Sequence, residues 1–168
     1  MFRFLAVTVL IAAALPAQQR THKAHVHGQA KLSIAFESTA GRPTGEMEFE
    51  APAETIVGFE YEAKTPADKA KQDKALANLE ARFREMVILP SSCQIKREKA
   101  GLHRDGTHAE VHATFKVQCG APVAGERISF GFAKVFPKID EVDVQLLAGS
   151  QQTSLTVKSD KGTLTLAK

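Results

Sequence analysis

Between residues 30 and 37 the chain alternates strictly, with Ala30, Leu32, Ile34 and Phe36 on one side of the pattern and Lys31, Ser33, Ala35 and Glu37 on the other. A period of two is that of a strand with one buried face, so residues 24–37 are expected to form a first strand. Carried backwards, the alternation adds Val26 to the core set and puts His25 and His27 on the polar face. A turn-rich stretch (residues 39–45) precedes a second alternating run in which Met47 and Phe49 point inward, and Pro52 ends it. Residues 53–61 are apolar without a period; Ile56, Val57 and Phe59 are expected to plug an edge of the core, and Glu60 and Glu62, which could face a metal, are expected instead to be solvated surface acids on the ordinary exposure of glutamate. Thr65-Pro66-Ala67-Asp68 starts a helix: Thr65 as N-cap, Pro66 where its missing N–H costs nothing, Asp68 near the positive dipole end. Leu76, Leu79, Phe83 and Met86 give that helix one apolar stripe to about Met86, and Ile88-Leu89-Pro90 closes it. The rest reads as strands: residues 93–102 and 109–119 around Asp105-Gly106-Thr107, then 127–136, 142–147, 151–159 and 162–166. One helix against mostly antiparallel strands predicts a single α+β domain.

The chain's opening differs from this pattern. Arg3, an apolar run over residues 4–14 and Leu15-Pro16-Ala17 make residues 1–17 a secretory signal, leaving residues 18–168 as the domain of a secreted or periplasmic protein. No later apolar run is long enough to insert directly in a membrane. With 22 basic and 19 acidic residues the formal charge is +3. The bases are interleaved with acids, and one Tyr and no Trp are available for stacking, which argues against nucleic acid as a partner.

Chemistry concentrates in the histidines. His25 and His27 lie on one strand face ~6.5 to 7 Å apart, close enough to converge on an ion at ~2 Å from each ring nitrogen. His22 stands three residues upstream and Gly28 removes a side chain beside the pair. A second set, His108, Glu110 and His112, occupies the outward positions of the strand over residues 109–119, with His103 across the turn. Two imidazoles and a carboxylate suit zinc, and also nickel or copper(II). Such ligands release metal as the rings protonate, below an ordinary imidazole pKa of about 6.5.

Two cysteines in an exported chain are most simply one disulfide. A three-residue turn at 105–107 places Cys93 directly opposite Cys119, since 93 + 119 and 104 + 108 are both 212. That register turns His103 inward, opposite Ala109. A two-residue Asp105-Gly106 turn sets His103 beside His108 instead, and a bulge between bridge and tip can satisfy both signals. The cysteine register is the firmer guide, because a covalent bridge tolerates little misplacement. It makes the tip an auxiliary site and leaves about one tightly held zinc, dependent on His25 and His27.

The pieces His22-x-x-His25-Val26-His27-Gly28, Ala51-Pro52-Ala53 leading to Val57-Gly58-Phe59-Glu60, Leu89-Pro90 with Cys93 and Cys119, Phe136-Pro137, and Val144-Gln145 occur in this order along the chain. In them the chain resembles the ZrgA-type zinc uptake family of periplasmic proteins. Two pieces depart from that family. Only residues 101–108 stand where a long His/Asp-rich tract is usual, and Tyr61 replaces a histidine after Gly-Phe-Glu. The resemblance implies a zinc-binding component assisting high-affinity import in Gram-negative bacteria, with zinc as ligand, a membrane zinc transporter or its components as partner, and no catalytic activity. A zinc-dependent hydrolase or hydratase built on the His-x-His pair is the alternative from another class, and a structural or interaction domain is a third.

Overall fold

The computed structural model describes residues 28–106, 108–158 and 160–168. Its elements in chain order are β1 (Gln29–Phe36), β2 (Thr44–Pro52), the single turn α1 (Ala53–Ile56), α2 (Pro66–Met86), β3 (Val87–Ile88), β4 (Cys93–Asp105), β5 (His108–Cys119), β6 (Arg127–Phe130), β7 (Glu141–Ala148), β8 (Gln151–Lys158) and β9 (Thr163–Thr165). A six-stranded sheet runs β4-β5-β2-β1-β7-β8, and a three-stranded sheet runs β3-β6-β9. Every pairing is antiparallel except that of β1 with β7. The expected α+β class, with one main helix on a mostly antiparallel sheet, is the observed one.

The alternation read in β1 is its burial pattern: Ala30, Leu32, Ile34 and Phe36 are buried and their neighbours exposed. Leu79, Phe83 and Met86 turn the buried stripe of α2 onto the same inner face. There Phe83 stacks on Phe115 of β5 at 3.6 Å and meets Phe49 of β2 edge-on at 6.1 Å. Phe132 stacks on Phe49 from the side of the small sheet, so helix and both sheets share one core. The helix begins as its sequence dictates. Thr65 Oγ1 accepts the Asp68 N–H at 3.1 Å and its hydroxyl donates to Asp68 Oδ2 at 2.7 Å.

Three expectations need correction. The strand expected over residues 127–136 stops at Phe130, because the following donors go to turns: Gly131 N–H to Met86 O, Phe136 N–H to Phe132 O, and Ala133 N–H to Asp160 Oδ1. Phe132 and Val135 are buried all the same; their spacing of three was already a departure from strand period. After Met86 the chain passes straight into a strand, and Val87 and Ile88 pair with Phe130 and Ser129. Among the described residues the first strand begins at Gln29, since Gly28 adopts φ +83°, and residues 24–27 of the expected strand lie outside them. The Gly28 N–H donates to Thr55 Oγ1 and its carbonyl accepts from Asp140 and Glu141. The positive φ is the constraint that favours glycine here, and a Cβ at residue 28 would in addition push the Asp140 carboxylate aside from 2.5 Å.

Candidate metal centre

The hairpin of β4 and β5 carries the second histidine set. At its base Cys93 pairs with Cys119 in a disulfide with Cα atoms 3.9 Å apart, both residues buried. From the bridge to Arg97 opposite Phe115 the register is the one the cysteines predict. Glu98 then has no partner, and pairing resumes with Lys99 opposite Thr114. This bulge shifts the outer half of the hairpin by one residue, so Asp105 faces His108 and two residues remain for the turn. The expectation that His103 turns inward opposite Ala109 is therefore overturned: Arg104 takes that place, and His103 stands opposite Glu110. The bulge reconciles a bridge fixed at one end with a histidine kept on the outer face at the other.

On that face the registers line up in rows. Gly101, His112, Glu50 and Lys31 form one row across four strands, and His103, Glu110 and Pro52 form the next towards the tip. His112 Nε2 lies 3.1 Å from Glu110 Oε2, and its Nδ1 lies 3.8 Å from Glu50 Oε1. The rings of His103 and His112 have centroids 5.4 Å apart. Gly101 has no side chain to set against His112, which leaves an open cavity of about 280 Å³ lined by Lys99, Leu102, His103, His112 and Thr114. At the tip His108 Nδ1 lies 3.2 Å from Glu60 Oε2.

Glu60 is thus not the solvated acid expected from sequence; its side chain is only 17% exposed. The loop that carries it is pinned on both sides. Phe59 is buried and stacks on Tyr61 at 4.4 Å. Arg104 donates from Nη1 to the Glu60 carbonyl and from Nη2 to the Tyr61 carbonyl, the latter at 2.6 Å. Tyr61 donates its hydroxyl to Asp68 at 3.1 Å, tying the loop to the helix start. Hydrogen bonding from Thr65 first, then Tyr61, holds the Asp68 carboxyl below the usual range, and the same Asp68 contact raises the Tyr61 hydroxyl. Glu62 is exposed, as expected, beside Lys64. On the outer face, Lys116 is held above its ordinary range chiefly by Glu46, with Glu98 on its other side.

The structure therefore gathers His103, His108, Glu110 and His112 on one hairpin face. It adds Glu50, which the sequence reading had not considered, and Glu60, which that reading set aside as a surface acid although it could face a metal. The outward position of Glu50 was implied by Met47 and Phe49 pointing inward, but nothing showed that its strand neighbours β5. For Glu60 the only signal was its place in the Gly-Phe-Glu piece. Among the described residues, no three His, Cys, Asp or Glu side chains converge closely enough to hold an ion by themselves. What the face offers is imidazole–carboxylate pairs. His22, His25 and His27 lie outside the described residues, as does the expected secretory signal. The face argument for His25 and His27 ran through Gly28, whose positive φ interrupts the alternation. By the strand registers, residue 29 is level with Pro52, Glu110 and His103. The chain thus enters the described structure at the sheet end that carries the tip histidines.

Among the described residues no helix is long and apolar enough to cross a membrane. A family model described as ZrgA family zinc uptake protein matches residues 24–166. That span takes in His25 and His27, the whole hairpin and both cysteines. No curated protein matches the chain.

Proposed function

The chain belongs to the ZrgA family of zinc uptake proteins, and from that premise we propose that it is a periplasmic zinc carrier that captures the ion through histidines and delivers it to a membrane zinc transporter or its components. His25 and His27, with His22, are the tight ligands of this reading; His103, His108, His112 and Glu110 form an auxiliary patch. The observation that supports it is the gathering of three histidines on one exposed hairpin face with carboxylates against two of them, at the sheet end where residue 28 enters. Sites with few protein ligands and open positions exchange their metal, whereas closed four-ligand sites hold it for structure. Exchange is what capture and delivery require. Nickel or copper(II) would meet the same donors.

Calorimetric zinc titration of the protein lacking residues 1–17, with His25→Ala and His27→Ala alongside, tests the reading. Micromolar or tighter binding, about one ion per chain, lost in either variant, is the expected result. No binding, binding indifferent to both substitutions, or esterase, phosphatase or hydratase turnover dependent on the same histidines would overturn it.

A further inference from the structure

We propose that Glu60 is a zinc ligand, paired with His108 Nδ1, and that this pair is a landing position separate from the one formed by Glu110 and His112 Nε2. The inference rests on the zinc-binding reading and assigns its chemistry to particular atoms. Two ligands at ~2.0 to 2.2 Å on a tetrahedral ion sit roughly 3.3 Å apart. The observed separations, 3.2 Å for His108 with Glu60 and 3.1 Å for His112 with Glu110, are those of hydrogen-bonded pairs and already near that bite, so an ion can take the proton's place with little movement of either side chain. His108 and His112 are four residues apart on one strand, hence about 13 Å along it, too far for one ion to bridge.

Glu60 is also built to stay in place. An exposed glutamate spreads over many rotamers, and ordering it on binding costs free energy. This one is 17% exposed, on a loop anchored by buried Phe59 on one side and by Arg104 on two successive carbonyls. Arg104 neighbours His103 in β4 yet faces the other way, opposite Ala109, so the hairpin tip offers histidine on one face and holds the loop from the other. The Glu60 member of the pair is thereby anchored to the same hairpin that carries His108, which lowers the ordering cost of bringing the two together. The pair supplies two protein ligands, and water fills the remaining positions, so the ion it takes is exchangeable.

Long-range ¹H–¹⁵N spectra of the histidine rings during a zinc titration read which nitrogen carries metal, and need no substitution. The expected result is metal on Nδ1 of His108 and on Nε2 of His112. Glu60→Gln should weaken the His108 response at least about tenfold while leaving that of His112 unchanged, with metal-free spectra showing the 59–62 loop intact. Metal on Nε2 of His108 in the unsubstituted protein, or a His108 response that Glu60→Gln does not change, overturns this inference with the zinc carrier standing. Absence of any zinc response at any histidine overturns both.

Discussion

Deleting Glu98 should leave the protein folded, bridged and able to bind zinc, although a one-residue deletion inside a strand normally moves every following side chain to the other face. The reason is the register. Arg97 and Lys99 pair with Phe115 and Thr114, which are already consecutive, so removing the unpaired residue closes the ladder without moving any other pair. What is lost is a half-exposed side chain 3.4 Å from Lys116, and Lys116 keeps Glu46. An exposed ion pair is worth about 0–1 kcal/mol, and a regularised ladder returns something of the same size. The net change should lie within about 1 kcal/mol. Deleting Gln94 is the contrast. With the bridge fixed, that deletion forces residues 95–97 to the opposite faces, bringing half-buried Ile95 out and Lys96 in beside Val117. Losing part of the isoleucine burial and aiming an ammonium at the core should together exceed about 2 kcal/mol. Urea unfolding of the two oxidised variants gives both numbers, and the ring spectrum of His103 reports whether it stays beside His112. Equal destabilisation by the two deletions, or a displaced His103 in the Glu98 deletion, would refute the account of the bulge.

Phe83→Ala, which empties the stack on Phe115 and the edge contact with Phe49, should cost about 3–5 kcal/mol in urea unfolding. Thiol labelling of the oxidised, denatured protein should find no free cysteine. Replacing Cys93 and Cys119 together with Ser should cost up to roughly 3.5 kcal/mol for a cross-link spanning 26 residues. The lowered Asp68 carboxyl sets an acid dependence: its contribution is present above the unfolded value of about 3.9 and is lost as pH falls through the folded one. The stability gap between the unsubstituted protein and Asp68→Asn should therefore be full above about pH 4 and shrink as pH falls below it in acid titrations of thermal unfolding, and a gap that does not change with pH would contradict the assignment.

Where one face of an element is buried and the other wet, its sequence stated the outcome: β1 by strict alternation, α2 by its cap and its Leu79-Phe83-Met86 stripe. The disulfide was legible because two cysteines and a hairpin allow a single sum. A bulge was legible only as the device that satisfies both turn signals; its position was not, since Arg97, Glu98 and Lys99 are all exposed and charged and carry no period to interrupt. The same limit hid the placement of two members of the candidate site. The position of Glu50 beside His112 depends on β2 lying next to β5, and that of Glu60 beside His108 on a loop crossing 48 residues of sequence. The pairing of β1 with β7 left no local trace either, because a parallel neighbour imposes no turn on the sequence between.

That parallel pair also sets an order of assembly. Each partner in β7 lies 112 residues after its mate in β1, as Gln29 with Glu141 and Phe36 with Ala148. The meander of β1, β2, β5 and β4 can form, and its disulfide can close, before the last quarter of the chain is available. Until the β7–β8 hairpin arrives, β1 is then an open edge: eight residues with no proline, no bulge and a fully apolar inner face. Closing so long a loop is slow, and an unguarded edge recruits other chains while it waits. A chain released from its C-terminal end last should therefore pass through an aggregation-prone interval that ends when β7 docks, and truncation just before residue 141 should trap it there.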